Sequence, residues 1–505
     1  MNILGIDLGT TAIKAVVFGP KGDIIASAVR EHQLFTPQPH VVELEPDTYW
    51  DAFCSALREL FGSGKAVPAS VRALAISSQG ETLIPVDEGG KPLRRAIVWL
   101  DDRAGGEAKE IEAKFTARRS YEVTGQPDIV PGWPAPKILW LGKNEPEVFR
   151  RTRKFLLLAD WFIQRLTGIA CTDVSLSSSS LMMDIRKKVW WGEMLAFLGI
   201  GPEKLPELRE SGVIAGPVTA AAAKETGLAP ETTVVTGAMD QVAGMVGAGN
   251  IRPGIVSETT GGALALCVTL DEPRTDAVHR LPCQCHAVPG KYLLLPWCQT
   301  GGMMLRWFRD AFSCGSYDDM TAEAARVPPG SGGVVVLPHL AGAGSPEFDP
   351  AARGVFSGIS LQTGRPHFIR AILESVAFML KRNLEVLEGM GLAVGEIRSL
   401  GGGARSPLWN QIKADVTGKP IVTMKHDEAA CLGAAILAGT ATGIFPSIET
   451  AVETMSTPGK TYAPAPANLQ VYGECYAKYI ALSGKLKGAG HEPGPDGGPG
   501  KRGAP

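Results

Sequence analysis

Asp7, Thr10, Thr11 and Lys14 fall within one short run, Gly5-Ile6-Asp7-Leu8-Gly9-Thr10-Thr11-Ala12-Ile13-Lys14, directly after the apolar start Met1-Asn2-Ile3-Leu4. The run reads as a strand, a tight turn of small residues and a second strand from Ala12 to Phe18. Hydroxyls and amides at Thr10 and Thr11 can meet phosphate oxygens, and Gly5 and Gly9 let the backbone come close to an anion. A carboxylate at Asp7 can hold a hydrated Mg²⁺, and Lys14 adds positive charge on the next strand. Together these groups suit a nucleoside triphosphate. The competing reading is a plain β-hairpin whose Asp7 caps the turn.

Two more glycine turns stand in similar settings. After Arg252-Pro253-Gly254 the chain opens as it did at its N-terminus: a strand Ile255–Thr259, a turn Thr260-Gly261-Gly262-Ala263 and a strand Leu264–Thr269. Later a strand at Ile397–Leu400 runs into Gly401-Gly402-Gly403-Ala404, ahead of a helix at Pro407–Thr417. Such turns let an adenine or a phosphate approach backbone without meeting a Cβ. A further acid, Asp240, stands in the run Gly237-Ala238-Met239-Asp240-Gln241, between a strand at Val234-Val235-Thr236 and a small-residue helix, Val242–Ala248. That corner lies at the carboxyl edge of a sheet, where α/β proteins place their chemistry. Capping the helix is the ordinary use of Asp there.

Strands and helices alternate to position these residues. Hairpin-like strands cover residues 2–30, a helix fits Asp47–Phe61 and a buried strand fits Val71–Ser77. Helical patterning follows at Ala104–Phe115 and Lys137–Leu141, then a strand at Val334–Leu337 and a long helix from Pro366 to Glu388. A chain of 505 residues is too long for one core, so two domains are expected, at 1–249 and 250–482. The Gly/Pro/Lys-rich tail 483–505 has little to bury and is expected to be disordered.

Composition narrows the class. Hydrophobic residues at 45% and charged ones at 20% describe an ordinary globular chain, and a net charge of −2 points to neither nucleic acid nor an anionic membrane as partner. No apolar run reaches the roughly 18 residues of a membrane span, and Asp7 and Gly9 interrupt any leader-like start. Nine cysteines, an odd number without framework spacing, favour free thiols in a reducing cytoplasm. The group Cys283-Gln284-Cys285-His286, with His279 before and Cys298 after, fits no common zinc spacing. Its cysteines alternate as one face of a strand does, and they read as buried thiols.

The opening run resembles the first phosphate loop of the actin, heat-shock chaperone and sugar-kinase superfamily. Internal stretches then resemble one branch of it. Gly132-Trp133-Pro134-Ala135-Pro136-Lys137-Ile138-Leu139-Trp140-Leu141, with its Lys-x-x-Trp core, is similar to the first signature of the FGGY carbohydrate kinases. Gly354-Val355-Phe356-Ser357-Gly358-Ile359, with His367-Phe368 and Ala371-Ile372-Leu373-Glu374, resembles the second. The likeness runs in order through residues 2–480.

That resemblance implies an α/β fold of two ribonuclease H-like domains with an interdomain cleft, Mg·ATP in the cleft, and phosphorylation of a sugar or polyol hydroxyl. Asp240 matches the family's catalytic aspartate, which accepts the sugar proton as the hydroxyl attacks the γ-phosphoryl group. Gln241 is expected to hydrogen-bond the substrate beside it. Gln79, Glu81, Trp99, Asp101 and Arg103 match positions that bind or border substrate, although Asp101 and Arg103 also read as an ordinary salt bridge. Acceptor-rich side chains with one flat ring are what a polyol needs. For ATP the expected residues are Asp7, Thr10, Thr11, Lys14, Gly261, Gly262, Gly402, Gly403 and Ala404, with Asp7 holding Mg²⁺ through water. A homodimer is a family-level expectation.

Two departures from the family pattern matter. Where xylulokinases carry Gln-Met-His and glycerol kinases Gln-Arg-Glu, this chain has Gln79-Gly80-Glu81. A ketopentose is the favoured substrate and a glycerol- or erythritol-type polyol the alternative. The second phosphate loop, usually Gly-Thr and a small residue, reads Gly261-Gly262-Ala263. Either Thr259 and Thr260 replace the missing hydroxyl, or the ATP site is weakened. A catalytically weak sugar sensor is the reading from another class, opposed by the presence of Asp7, Thr10, Thr11 and Asp240.

Overall fold

Asn2–Leu8 and Ala12–Phe18 pair antiparallel with Asp7 opposite Lys14, and Ile24–Glu31 adds a third strand to the same sheet. On the other side of Asn2–Leu8 lies Val71–Ser78, parallel to it, and Thr233–Met239 is parallel to Val71–Ser78 in turn. Ile214–Pro217 closes the six-stranded sheet as an antiparallel edge. Three parallel strands in adjacent places end at one edge, so Asp7, Ser77 and the Met239–Asp240 corner are brought together there. The structure, a computed structural model, describes residues 1–487 except 277, 279 and 280.

The described chain divides into two compact units that are interleaved in sequence, rather than cut once near residue 249. One comprises 1–257, 267–295 and 424–459; the other holds 258–266, 296–423 and the residues from 460 on. The interleaving has a physical cause in the first unit. Helix Ala429–Ala441 is apolar nearly all round, and its buried residues pack on the strands of the six-stranded sheet and on helix Asp240–Gly247. Gly5, expected to admit an anion, is spent on this packing: a Cβ there would lie 1.9 Å from the Cys431 carbonyl oxygen. In mid-strand and buried, it makes room for a helix.

A second sheet of the first unit contains Leu83–Val86, Ala96–Ile97 and Lys154–Leu157. It carries the loops at 79–82 and 98–103 and rests on a core with Ile111, Phe115, Ala135, Ile138 and Leu141. The helix expected at Lys137–Leu141 is longer, Pro134–Asn144, because Pro134 and Pro136 are accommodated in its first turn, where no amide is required.

In the second unit, Val394–Leu400 runs parallel to Ile421–Met424. The long helix spans Arg365–Gly389, one residue more at each end than expected, and carries the buried Arg370–Glu374 ion pair at 2.9 Å. Helix Pro466–Leu486 buries Tyr472, Tyr476 and Tyr479 on one face. Ser483–Leu486, expected to be disordered, complete that helix, since extending an anchored helix adds one hydrogen bond per residue fixed. The rest of the tail, 488–505, lies outside the described residues. Among the described residues no helix is long and apolar enough to cross a membrane.

Candidate active site

The turn after Asn2–Leu8, expected to meet phosphate, is tight, its Gly9 amide donating to the Ala12 carbonyl at 3.0 Å. Ser77 Oγ donates to Asp7 Oδ1 at 2.9 Å, and burial raises the Asp7 pKa against that bond. Thr11 is exposed, and the Thr10 hydroxyl accepts from the Trp99 indole at 2.9 Å, leaving its own proton to donate. Lys14 is paired at 2.8 Å with Glu428, the residue just before helix Ala429–Ala441. Neither Ser77 nor Glu428 was anticipated. Ser77 was readable from the strand register, whereas Glu428 lies 414 positions from Lys14 and left no local signal.

Asp240 opens helix Asp240–Gly247, and its Oδ1 accepts the Gln241 amide at 2.6 Å. Burial first, then the charge of Asp7, pushes its pKa up to about 7. The corner is pinned from behind. The Met239 amide donates to Ser175 Oγ at 3.1 Å, Ser175 Oγ donates to Asp173 Oδ1 at 2.5 Å, and Ser211 Oγ donates to the same oxygen at 2.9 Å. These three residues were missed, although Asp173-x-Ser175 ahead of a serine run is a visible helix-capping pattern.

Among the residues expected at the sugar, Glu81 has a left-handed backbone, φ 59°, and burial raises the pKa of its carboxyl against opposition from Ser179 and Lys137. Gln79 is 3% exposed; its Nε2 donates to Tyr49 Oη at 3.3 Å, while its Oε1 has no partner among the described residues. Trp99 is 39% exposed and presents an apolar ring. Asp101 is different. It is fully buried, Oδ1 accepting from Arg103 Nε at 2.8 Å and Oδ2 from the Val42 amide at 2.6 Å and Arg103 Nη2 at 2.7 Å. Arg103 also holds Glu43 at 2.7 Å. The ordinary ion-pair reading therefore describes Asp101 and Arg103 in this structure.

In the second unit, the Gly262 carbonyl accepts the Gly301 amide at 2.7 Å, and the Gly261 carbonyl accepts the Gly302 amide at 2.8 Å. This places the start of helix Gly302–Ala311 against the Gly261-Gly262-Ala263 turn. This contact was missed, although the Thr300-Gly301-Gly302 run before an amphipathic helix could have pointed to it. Thr260 is buried, its hydroxyl donating to Glu258 Oε2 at 2.7 Å and accepting from Lys413 Nζ at 3.0 Å. It cannot also stand in for a missing loop hydroxyl. Gly402 is exposed and open, but a Cβ on Gly403 would lie 2.7 Å from Thr260 Cβ, so that glycine serves packing. Ala404 lies inside the short turn Gly402–Arg405 that leads to helix Pro407–Thr417.

No group of three or more His, Cys, Asp or Glu among the described residues converges as a metal site. Cys283 and Cys285 are buried on a strand, as expected, while His279 lies outside the described residues. A single carboxylate at Asp7 still fits Mg²⁺ arriving with a nucleotide, because that ion keeps several waters and takes other ligands from phosphates.

One unit holds a glycine hairpin and an acid at the carboxyl edge of a mixed sheet, the other a second glycine hairpin, and this is the pattern of a phosphotransferase of the ribonuclease H-like ATPase fold. The chain matches the family model for the FGGY family of carbohydrate kinases, N-terminal domain, over residues 2–247, and that for the C-terminal domain over 260–442. It belongs to that family and is an ATP-dependent carbohydrate kinase. It is 32% identical over 498 residues to a gluconokinase of Bacillus licheniformis, covering 96% of both chains. It is 31% identical over 489 residues to a xylulose kinase of Staphylococcus epidermidis, covering 96% of this chain and 97% of that one. Among solved structures it is similar to ligand-bound xylulose kinase from Lactobacillus acidophilus, at 27% identity and TM-score 0.90, covering 97% and 99%.

Proposed function

We propose that this chain transfers the γ-phosphoryl group of ATP to a hydroxyl of a neutral ketopentose, with Asp240 as general base. The observation that carries this reading is the clustering of Asp240 with Asp7 and Glu81, whose negative charges help to raise its pKa. Ionised Asp240 accepts the hydroxyl proton, the sugar oxygen bonds to the γ-phosphorus, and the bond to the ADP oxygen breaks. Gln79 Oε1, buried without a partner, is an acceptor awaiting a sugar hydroxyl. Trp99 offers its ring to the C–H face, and Gln241 a further polar contact. Asp7 would hold Mg²⁺ through water, supplying charge neutralisation at the phosphates. Free thiols at all nine cysteines fit a reducing cytoplasm, and a homodimer is part of the proposal at family level.

Neutral substrate is favoured over a sugar acid by the cations of the site. Lys14 is held by Glu428, Arg103 by Asp101 and Glu43, and Lys137 by two backbone carbonyls. A sugar carboxylate beside Glu81 and Asp240 would find these three cations already engaged. ADP release should be followed with Mg·ATP against D- and L-xylulose, D- and L-ribulose, L-fuculose, gluconate, glycerol and erythritol. A ketose should show the highest kcat/KM, with gluconate at least about tenfold lower. Gluconate in first place would overturn the neutral-substrate reading, and glycerol or erythritol would replace the ketose with a polyol.

The second phosphate loop allows a separate test. A Cβ on Gly262 would meet only Met303 Cε, at 3.8 Å. Gly262→Thr should therefore be accommodated and add a phosphate donor. One neutral hydrogen bond contributes about 0.5–1.5 kcal/mol, so the KM for ATP should fall roughly two- to tenfold while the sugar KM stays put. An unchanged or higher ATP KM would mean that the loop does not face phosphate.

A further inference from the structure

We propose that Lys137 is a positioning residue for sugar recognition, its ammonium tying together the two loops that carry Glu81 and Trp99. The proposal rests on the reading above that these loops meet the sugar. Lys137 is the lysine of the Lys-x-x-Trp stretch, and it is 0% exposed. Its Nζ donates to the Glu81 carbonyl and to the Val98 carbonyl, each at 3.0 Å. One acceptor belongs to the proposed sugar-binding acid itself, and the other precedes the tryptophan directly.

Backbone geometry says why a tie is needed. Glu81 sits at φ 59°, a conformation that a side chain with a Cβ adopts rarely and keeps only when its surroundings enforce it. The turn is tight, the Thr82 amide donating to the Gly80 carbonyl at 2.7 Å. An ammonium on the Glu81 carbonyl fixes this peptide, and the same ammonium opposes the charge of the Glu81 carboxylate. Burying a lysine is costly without such partners, and burial does push its pKa down, to about 7. A core filled with an apolar side chain would avoid that cost, so a buried lysine that donates to both loop carbonyls points to a positional task. Trp140, three residues further along helix Pro134–Asn144, backs the same loop. The Arg103 guanidinium lies 5.0 Å from its ring centre and bonds Asp101, which accepts the Val42 amide. Both residues of the motif thus contact the 98–103 loop.

The test pairs hydrogen exchange on the sugar-free full chain with steady-state kinetics for Lys137→Met and, as a shorter polar variant, Lys137→Gln. Amides at 80–83 and 98–101 should exchange at least about tenfold faster in both variants, with Asn2–Leu8 unaffected. The KM for the sugar found in the panel should rise at least about tenfold, and the ATP KM should stay within about twofold. Unchanged exchange in the two loops overturns the proposal, as does a uniform rise across the first unit or failure of both variants to fold. Each of those would make Lys137 a core residue only. If the wild type phosphorylates none of the sugars, the proposed function falls, while loop exchange still decides whether Lys137 clamps the loops.

Discussion

Asp240→Asn should reduce kcat by about 10²–10⁴-fold, the usual contribution of a general base, with sugar and ATP binding retained. Asn is nearly isosteric, and its side-chain oxygen can still accept the Gln241 amide that Asp240 Oδ1 accepts at 2.6 Å. The corner behind it is built from Met239, Ser175 and Asp173 and is untouched by the change. What disappears is a negative charge beside Asp7 and Glu81, whose repulsion contributes to the raised pKa after burial. The variant should therefore melt no lower than the wild type at pH 8. That pairing of lost turnover with intact stability separates chemistry from damage. Activity within about threefold of wild type would remove Asp240 from the reaction and favour a sensor.

The same residue sets a pH profile. A carboxyl held at about 7 is largely protonated below that pH and cannot accept the sugar proton. The kcat/KM for sugar should thus fall as the pH drops through about 7, with a slope of one proton. An ordinary carboxylate would keep its activity down to a pH near 4.

Residues with local meaning were legible in the chain, and those with distant partners were not. The first hairpin, the Asp240 corner and the helix after Gly401–Gly403 all follow from strand-turn patterns within a few residues, and each formed close to its expected bounds. Gly5 shows where such reading runs out. Its glycine was correctly noticed, but the atom that approaches it belongs to Cys431, far along the chain. Asp101 was equally ambiguous, because a carboxylate two residues before an arginine fits a sugar and an ion pair alike. Only the Val42 amide on Asp101 and the Glu43 carboxylate on Arg103, both brought in by another strand, decide between the two. Thr260 repeats the lesson in the second unit. As a sequence neighbour of the glycine turn it looked available, yet Lys413 and Glu258 hold its hydroxyl.

Two glycine-to-alanine changes, both inside helices, should move stability in opposite directions. Gly473 lies within helix Pro466–Leu486, is exposed, and a Cβ there would meet nothing within 4 Å. Alanine removes backbone freedom from the unfolded chain, so Gly473→Ala should stabilise by about 0.5–1 kcal/mol. Gly433, in helix Ala429–Ala441, is its counterpart. A Cβ on Gly433 would sit 1.8 Å from the Ala243 carbonyl oxygen, and one on Gly247 of the facing helix 1.9 Å from the Ala429 oxygen. Paired small residues set the closeness of this crossing, and neither obstacle is a side chain that can rotate away. Relief requires the two helices to part. Overpacking of an interior usually costs about 1–3 kcal/mol, and a backbone obstacle places Gly433→Ala at the top of that range or beyond it. Because the displaced partner, Asp240–Gly247, carries the proposed base at its first residue, activity should fall even in molecules that still fold. Urea unfolding of both variants, with turnover measured alongside, checks the pair. A Gly433→Ala protein as stable and active as the wild type would mean that the helix crossing is looser than its glycines imply.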